Sequence, residues 1–133
     1  MNSMQNRKRV AQALIVLGSL VLFLVGAVHG LAGYPQISGA LAGTAIPGKI
    51  IGGLKLVWLL ASWHWITLGI IALVLAFSKT ALRRALLLLC GFIVLADAAL
   101  AFAAVGPFIG DELLTVAAIA LLAGAALFSF SQN

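Results

Sequence analysis

Acidic residues are almost missing from this chain. Its 133 residues hold three Asp plus Glu against eight Lys plus Arg, and charged residues make up only 8% of it. Two of the acids, Asp111 and Glu112, are neighbours beside an apolar run. Paired carboxylates, a Ser/His/Asp set and a Gly-rich phosphate loop therefore cannot be assembled, which weighs against an enzyme. There is one cysteine, Cys90, so an intramolecular disulfide is excluded and no Cys-x-x-Cys pair supports thiol redox chemistry. There are two histidines, His29 and His64, too few for a multi-histidine di-iron site. A polar surface is missing too. Hydrophobic residues make up 64% of the chain, and no soluble domain of this size has the interior to hide them.

What is present is lipid-compatible sequence, with a mean hydropathy of +1.22. The fold expected is an all-α membrane protein of one domain, four transmembrane helices in an up-down bundle. The spans are placed at 10–31, 49–77, 81–105 and 112–130, each about the 20 residues or more that a bilayer crossing needs. The first run follows a basic stretch but is longer than a signal-peptide core, and His29 spoils the cleavage pattern, so it reads as a retained helix. Ser78 and Thr80 break the second span from the third, and Gly106-Pro107 stops the third. Asp111 is read as the N-cap of the fourth, its charge favourable at the positive helix end. Residues 33–48 hold Pro35, Gly39, Gly43 and Pro47, yet most between them are small and apolar. That pattern fits a surface turn of helix or a segment tucked against the bundle mouth better than a solvated loop.

Charge sets the orientation. Arg7, Lys8, Arg9, Lys79, Arg83 and Arg84 flank spans on one side, and Lys49 and Lys55 lie on the other with Asp111 and Glu112. The positive-inside rule then puts both termini in the cytoplasm and explains the net charge of +5 without nucleic acid. Short turns make neighbouring helices antiparallel. Small residues should mark their contacts: Gly26-x-x-x-Gly30, Ala99-x-x-x-Ala103 and Ala120-x-x-x-Gly124.

Polar groups at membrane depth are expensive and mark functional candidates. Lys55, Trp58, Ser62, Trp65 and Gly69 share one face of the second span, and His64 lies opposite with Val57, Leu60, Leu68 and Ile71. Gly18, Gly26 and Gly33 flank His29 on a glycine-rich face, and Asp97 shares its face with Cys90, Ala101 and Ala104. The expected cluster is Asp97 with His29, completed by Lys55 as the neutralising partner. Trp58 stands at its outer mouth. His64 is left facing lipid, a partner or the far side of the packing. Counting about 1.5 Å per residue separates the two histidines by about 15 Å in depth, which speaks against bis-histidine haem or a two-His-plus-Asp97 metal site. No cofactor and no metal are expected.

Two function classes follow. One is a small non-catalytic membrane protein, an accessory subunit or homo-oligomer surrounded by lipid. The other is a binder or transporter of a small amphiphile, such as a lipid or quinone, or of a cation, through an outer-half pocket of His29, Lys55, Trp58 and Asp97. Size and helix count resemble the small multidrug resistance exporters, but the first span here has no acid where that family carries its essential glutamate. The tetraspan pattern is also loosely similar to small bacterial inner-membrane families such as the DoxX-like ones. The location expected is a cell membrane crossed several times, that of the bacterial inner membrane.

Overall fold

The computed structural model describes residues 3–129, and among these every regular element is a helix. Helix α1 covers Ser3–Val28, followed by a π-helical turn at His29–Gly33 and helix α2 at Tyr34–Leu41. Helices α3 (Gly48–Phe77), α4 (Arg83–Val105) and α5 (Ile109–Ser129) complete the chain. Four stretches, Ser3–Leu41, Gly48–Phe77, Arg83–Val105 and Ile109–Phe128, are long and apolar enough to cross a membrane. The protein is thus a multi-pass membrane protein by helix length and composition. We term the end holding the 78–82 turn the base, and the opposite end the mouth.

The first span does not stop near residue 31. It runs on to Leu41, and the connection placed at 33–48 shrinks to the residues after it. Pro35 explains the shape. Its ring demands space beside the carbonyl four residues earlier and it has no N–H to donate, so a straight α-helix cannot continue through it. The wider π turn lies immediately upstream and absorbs the misfit. The chain then reverses at Gly43, whose φ of 74° suits a residue with no Cβ. At the other mouth connection Gly106, with φ of 79°, ends α4 where Gly106-Pro107 was expected to, its N–H bonded to Phe102 O at 2.8 Å.

The fourth helix begins earlier than expected. Phe108 is the capping position, not Asp111. Asp111 lies one turn inside and its Oδ1 accepts the Phe108 N–H at 2.7 Å. This is the reciprocal half of a capping box, in which an acid at the third helical position satisfies an orphan amide. The expected end at residue 130 lies outside the described residues.

Packing is uneven along the molecule. Helix α1 lies between α3 and α5, and α5 lies between α1 and α4, whereas α3 and α4 touch sparsely. The buried core gathers Ile15 and Leu22 of α1, Ala72 and Leu75 of α3, Leu87 and Val94 of α4, and Leu121 and Phe128 of α5. No residue in 29–61 or 99–110 is buried. Lipid tails are as apolar as these side chains, so close van der Waals fit rather than water exclusion must hold the helices. Glycines provide it. A Cβ on Gly26 would stand 2.7 Å from Ile66 Cγ1 and 2.8 Å from the Ser62 carbonyl, and one on Gly124 would stand 3.0 Å from the Ala11 carbonyl. The Gly26 and Gly124 contacts thus fall where small residues were expected to mark them. Ala99 and Ala103 do not: both are exposed on α4. Gly18 also turns away from the His29 side and meets Ala117 and Leu121 of α5. At the base, the Arg83 guanidinium sits 3.7 Å over the Phe128 ring and donates to Ser78 O at 2.8 Å. Gln12 Nε2 donates to Ala76 O at 3.1 Å, tying α1 to α3 there.

Candidate functional site

The polar side chains gather where the core ends and the mouth begins. Helix α1 brings His29 at the first residue of the π turn. The His29 ring stacks on Trp58 of α3, centroids 3.9 Å apart and planes 11° apart. It also meets Trp65 edge to face, centroids 4.9 Å apart and planes 77° apart. The Trp58 indole N–H donates to the His29 backbone carbonyl at 2.8 Å. A π turn shifts the backbone ladder by one residue, and an indole donor placed there satisfies a carbonyl off its α-helical register. Gly33 completes the fit, because a Cβ there would lie 2.8 Å from Trp58 Cζ2. We expect Trp58→Phe to keep the ring stack but lose this bond, at about 1 kcal/mol. Hydrogen exchange should then quicken at the amides of the π turn and α2 and stay unchanged at the base.

Asp97 of α4 is the second half of the cluster. Its Oδ2 accepts the Trp65 indole N–H at 3.1 Å and contacts His64 Nε2 at 3.1 Å. Its Oδ1 takes no hydrogen bond among the described residues. An imidazole with its proton on Nε2 donates here whether neutral or charged. His64 is 44% exposed and Asp97 26% exposed, so the pair sits at a wall rather than in the core.

The expected pairing of Asp97 with Lys55 is replaced by Asp97 with His64. Depth had been counted from the mouth ends of the helices, which are ragged because α3 is 30 residues long and α4 is 23. The short turn at the base is the common origin. His64 is thirteen residues back from Phe77 and Asp97 fourteen residues on from Arg83, so they are level. Lys55 lies nine residues nearer the mouth than His64, about 14 Å along the axis, beyond reach of Asp97. It makes no ion pair among the described residues. The same raggedness had separated His29 from His64. In fact Trp65 links them, in an edge-to-face contact with His29 and sharing Asp97 Oδ2 with His64. His29 reaches Asp97 only through that indole.

Trp65, which its spacing placed on the Lys55 face, is a further functional candidate that the structure brings to Asp97. The available signal was its N–H, which needs an acceptor when withdrawn from water. Trp63 points outward, 65% exposed. The face shared by Trp58, Ser62 and Gly69 packs on α1: Ser62 and Gly69 are buried and a Cβ on Gly69 would stand 3.1 Å from Ser19 O.

Beside the His64–Asp97 pair lies a groove of about 390 Å³, lined by Val57, Leu60, Ala61, His64, Trp65, Asp97 and Leu100. Of the aliphatic face expected around His64, Val57 and Leu60 line its α3 wall, whereas Leu68 is buried in the core. The groove exists because α3 and α4 part above the core. The volume falls in the range of small-molecule sites, mostly apolar with a few converging polar groups. Among the described residues no three His, Cys, Asp or Glu side chains converge on a point; His64 and Asp97 are a pair. Comparison with known protein families, known proteins and solved structures finds no match.

Proposed function

We propose that this protein is a small non-catalytic membrane protein that binds an amphiphile in the groove between α3 and α4. The head would meet the Asp97–His64–Trp65 cluster, and the tail would lie along Val57, Leu60 and Leu100 and continue into the bilayer. One observation carries the reading. A carboxylate with one oxygen unbonded among the described residues lies midway along a long apolar helix, in a largely apolar groove between two helices. Keeping such a group in a span is costly, and pairing it with groups that leave acceptor capacity open favours a ligand over pure packing. The protein extracted in a mild neutral detergent is expected to carry about one amphiphile per chain by native mass measurement. Leu100→Trp should empty it while leaving the mass of the folded chain otherwise unchanged. A wild-type protein that carries none and binds none on addition overturns the reading.

A second reading, an oligomer-forming or accessory subunit, is favoured by the thin α3–α4 seam, which a helix of another copy would cover. In that case the same mass measurement gives a dimer and no amphiphile.

The arrangement in the membrane is proposed to be up-down with both termini cytoplasmic, in a bacterial inner membrane. Residues Arg7, Lys8, Arg9, Lys79, Arg83 and Arg84 all lie at or near the base, which supports it by the positive-inside rule. Reporters fused after residue 133 and within the 78–82 turn should both read as cytoplasmic. One within residues 42–47 should read as external, and any other pattern removes the four-crossing arrangement.

A further inference from the structure

Resting on the groove reading, we infer that the head group taken by this site is a primary ammonium, so that the ligand class is a single-chain alkyl amine in its protonated form. Charge complementarity singles it out. Among the described residues Asp97 is the one acid away from a span's end, since Asp111 and Glu112 stand at the first turn of α5. No Lys or Arg lines the groove. Lys55 is about 14 Å off along α3, and Arg83 and Arg84 are about 20 Å off along α4. An anionic head would meet a carboxylate with no fixed counter-charge beside it. A neutral hydroxyl head would use only one donor.

The hydrogen-bond inventory points the same way. Oδ2 of Asp97 already receives the Trp65 indole and His64, both at 3.1 Å, and Oδ1 receives none among the described residues. A carboxylate oxygen can only accept, so it calls for a donor, and an ammonium supplies three. An N–H donated to a carboxylate is about twice as strong as a neutral hydrogen bond. The Trp65 ring lines the same groove, and an aromatic ring attracts a cation placed over its face. His64, at 44% exposure, is free to swing aside without opening the core.

The test uses the full chain in a neutral maltoside micelle and follows tryptophan fluorescence during titration with three amphiphiles of one tail: dodecylammonium, dodecanol and dodecanoate. Dodecylammonium should bind about tenfold tighter than the other two. Asp97→Asn, which keeps the size and an acceptor for Trp65, should bring it down to the dodecanol affinity. Leu100→Trp should remove binding of all three. Equal affinities, or a preference for dodecanoate, overturn the ammonium assignment and leave the groove reading standing. Binding of dodecylammonium that survives Leu100→Trp also overturns it, because the attraction then lies outside the groove. Absence of binding by all three, with none carried through purification, removes both.

Discussion

Gly26→Ala should lower the unfolding midpoint by about 10 °C, from a loss of about 2 kcal/mol. The added methyl has no room. It would stand 2.7 Å from Ile66 Cγ1 and 2.8 Å from the Ser62 carbonyl oxygen, and the second of these is backbone. A side chain can rotate away, but a carbonyl moves only if α3 moves. Because α1 also packs on α5, a shift of α1 away from α3 is resisted from behind. Gly26→Leu should therefore fail to give a folded protein. The matched control lies on the same pair of helices. A Cβ on Gly52 would meet nothing within 4 Å. Gly52→Ala should stabilise by about 0.5–1 kcal/mol, since alanine is the better helix residue where nothing is crowded. Thermal unfolding of the two variants in one detergent decides it. Shifts of the same sign would mean that α1 and α3 do not approach as described.

The second large effect concerns Asp97. Asp97→Leu withdraws the acceptor from the Trp65 indole and from His64 at once. Donors left unpaired cost more than the bond itself contributed. The expected loss is about 2 kcal/mol, moderated because the pair is partly exposed, together with full loss of the bound amphiphile. Asp97→Asn keeps an acceptor and should cost about half as much. The telling comparison is the triple variant Asp97→Leu, His64→Leu, Trp65→Phe. Removing all partners together leaves nothing unpaired, so its stability should return close to that of the unaltered protein. If the triple variant is less stable than Asp97→Leu alone, the cluster is chiefly a packing device and its cost has been misassigned. Unfolding midpoints of the three variants, read beside their amphiphile content, separate the outcomes.

Much of this was written in the chain, and what was hidden was hidden for identifiable reasons. Hydropathy and the breakers Ser78, Thr80, Gly106 and Pro107 located four spans, because apolar length and missing N–H groups act locally. Gly26 and Gly124 were legible as contacts for the same local reason. Ala99 and Ala103 were not, since alanine tolerates lipid as readily as a helix neighbour and only the neighbour's position tells which it meets. Asp97, His29 and Trp58 stood out by cost. Their connection did not, because it depends on depth, and depth depends on where each helix starts. The continuation of α1 through Pro35 and the projection of α3 past α4 shifted those origins by several turns. Lys55 then looked level with Asp97 and His64 did not. Counting from the 78–82 turn, which both helices share, would have paired His64 with Asp97 from sequence alone.

The division of the molecule at the level of Ser62 and Ala98 has a consequence for how it opens. Below that level α1, α3, α4 and α5 form one interlocked unit. Above it, α2, the first half of α3 and the end of α4 are tied by few contacts, chiefly the Trp58 bond and the ring stack on His29. Regions of this kind exchange through sub-global openings whose free energy is far below that of complete unfolding. The groove lies on the boundary, so the toll for admitting or releasing an occupant is set by the loose tier alone. Exchange on the microsecond-to-millisecond scale of segment motion is compatible with a base that stays assembled for hours.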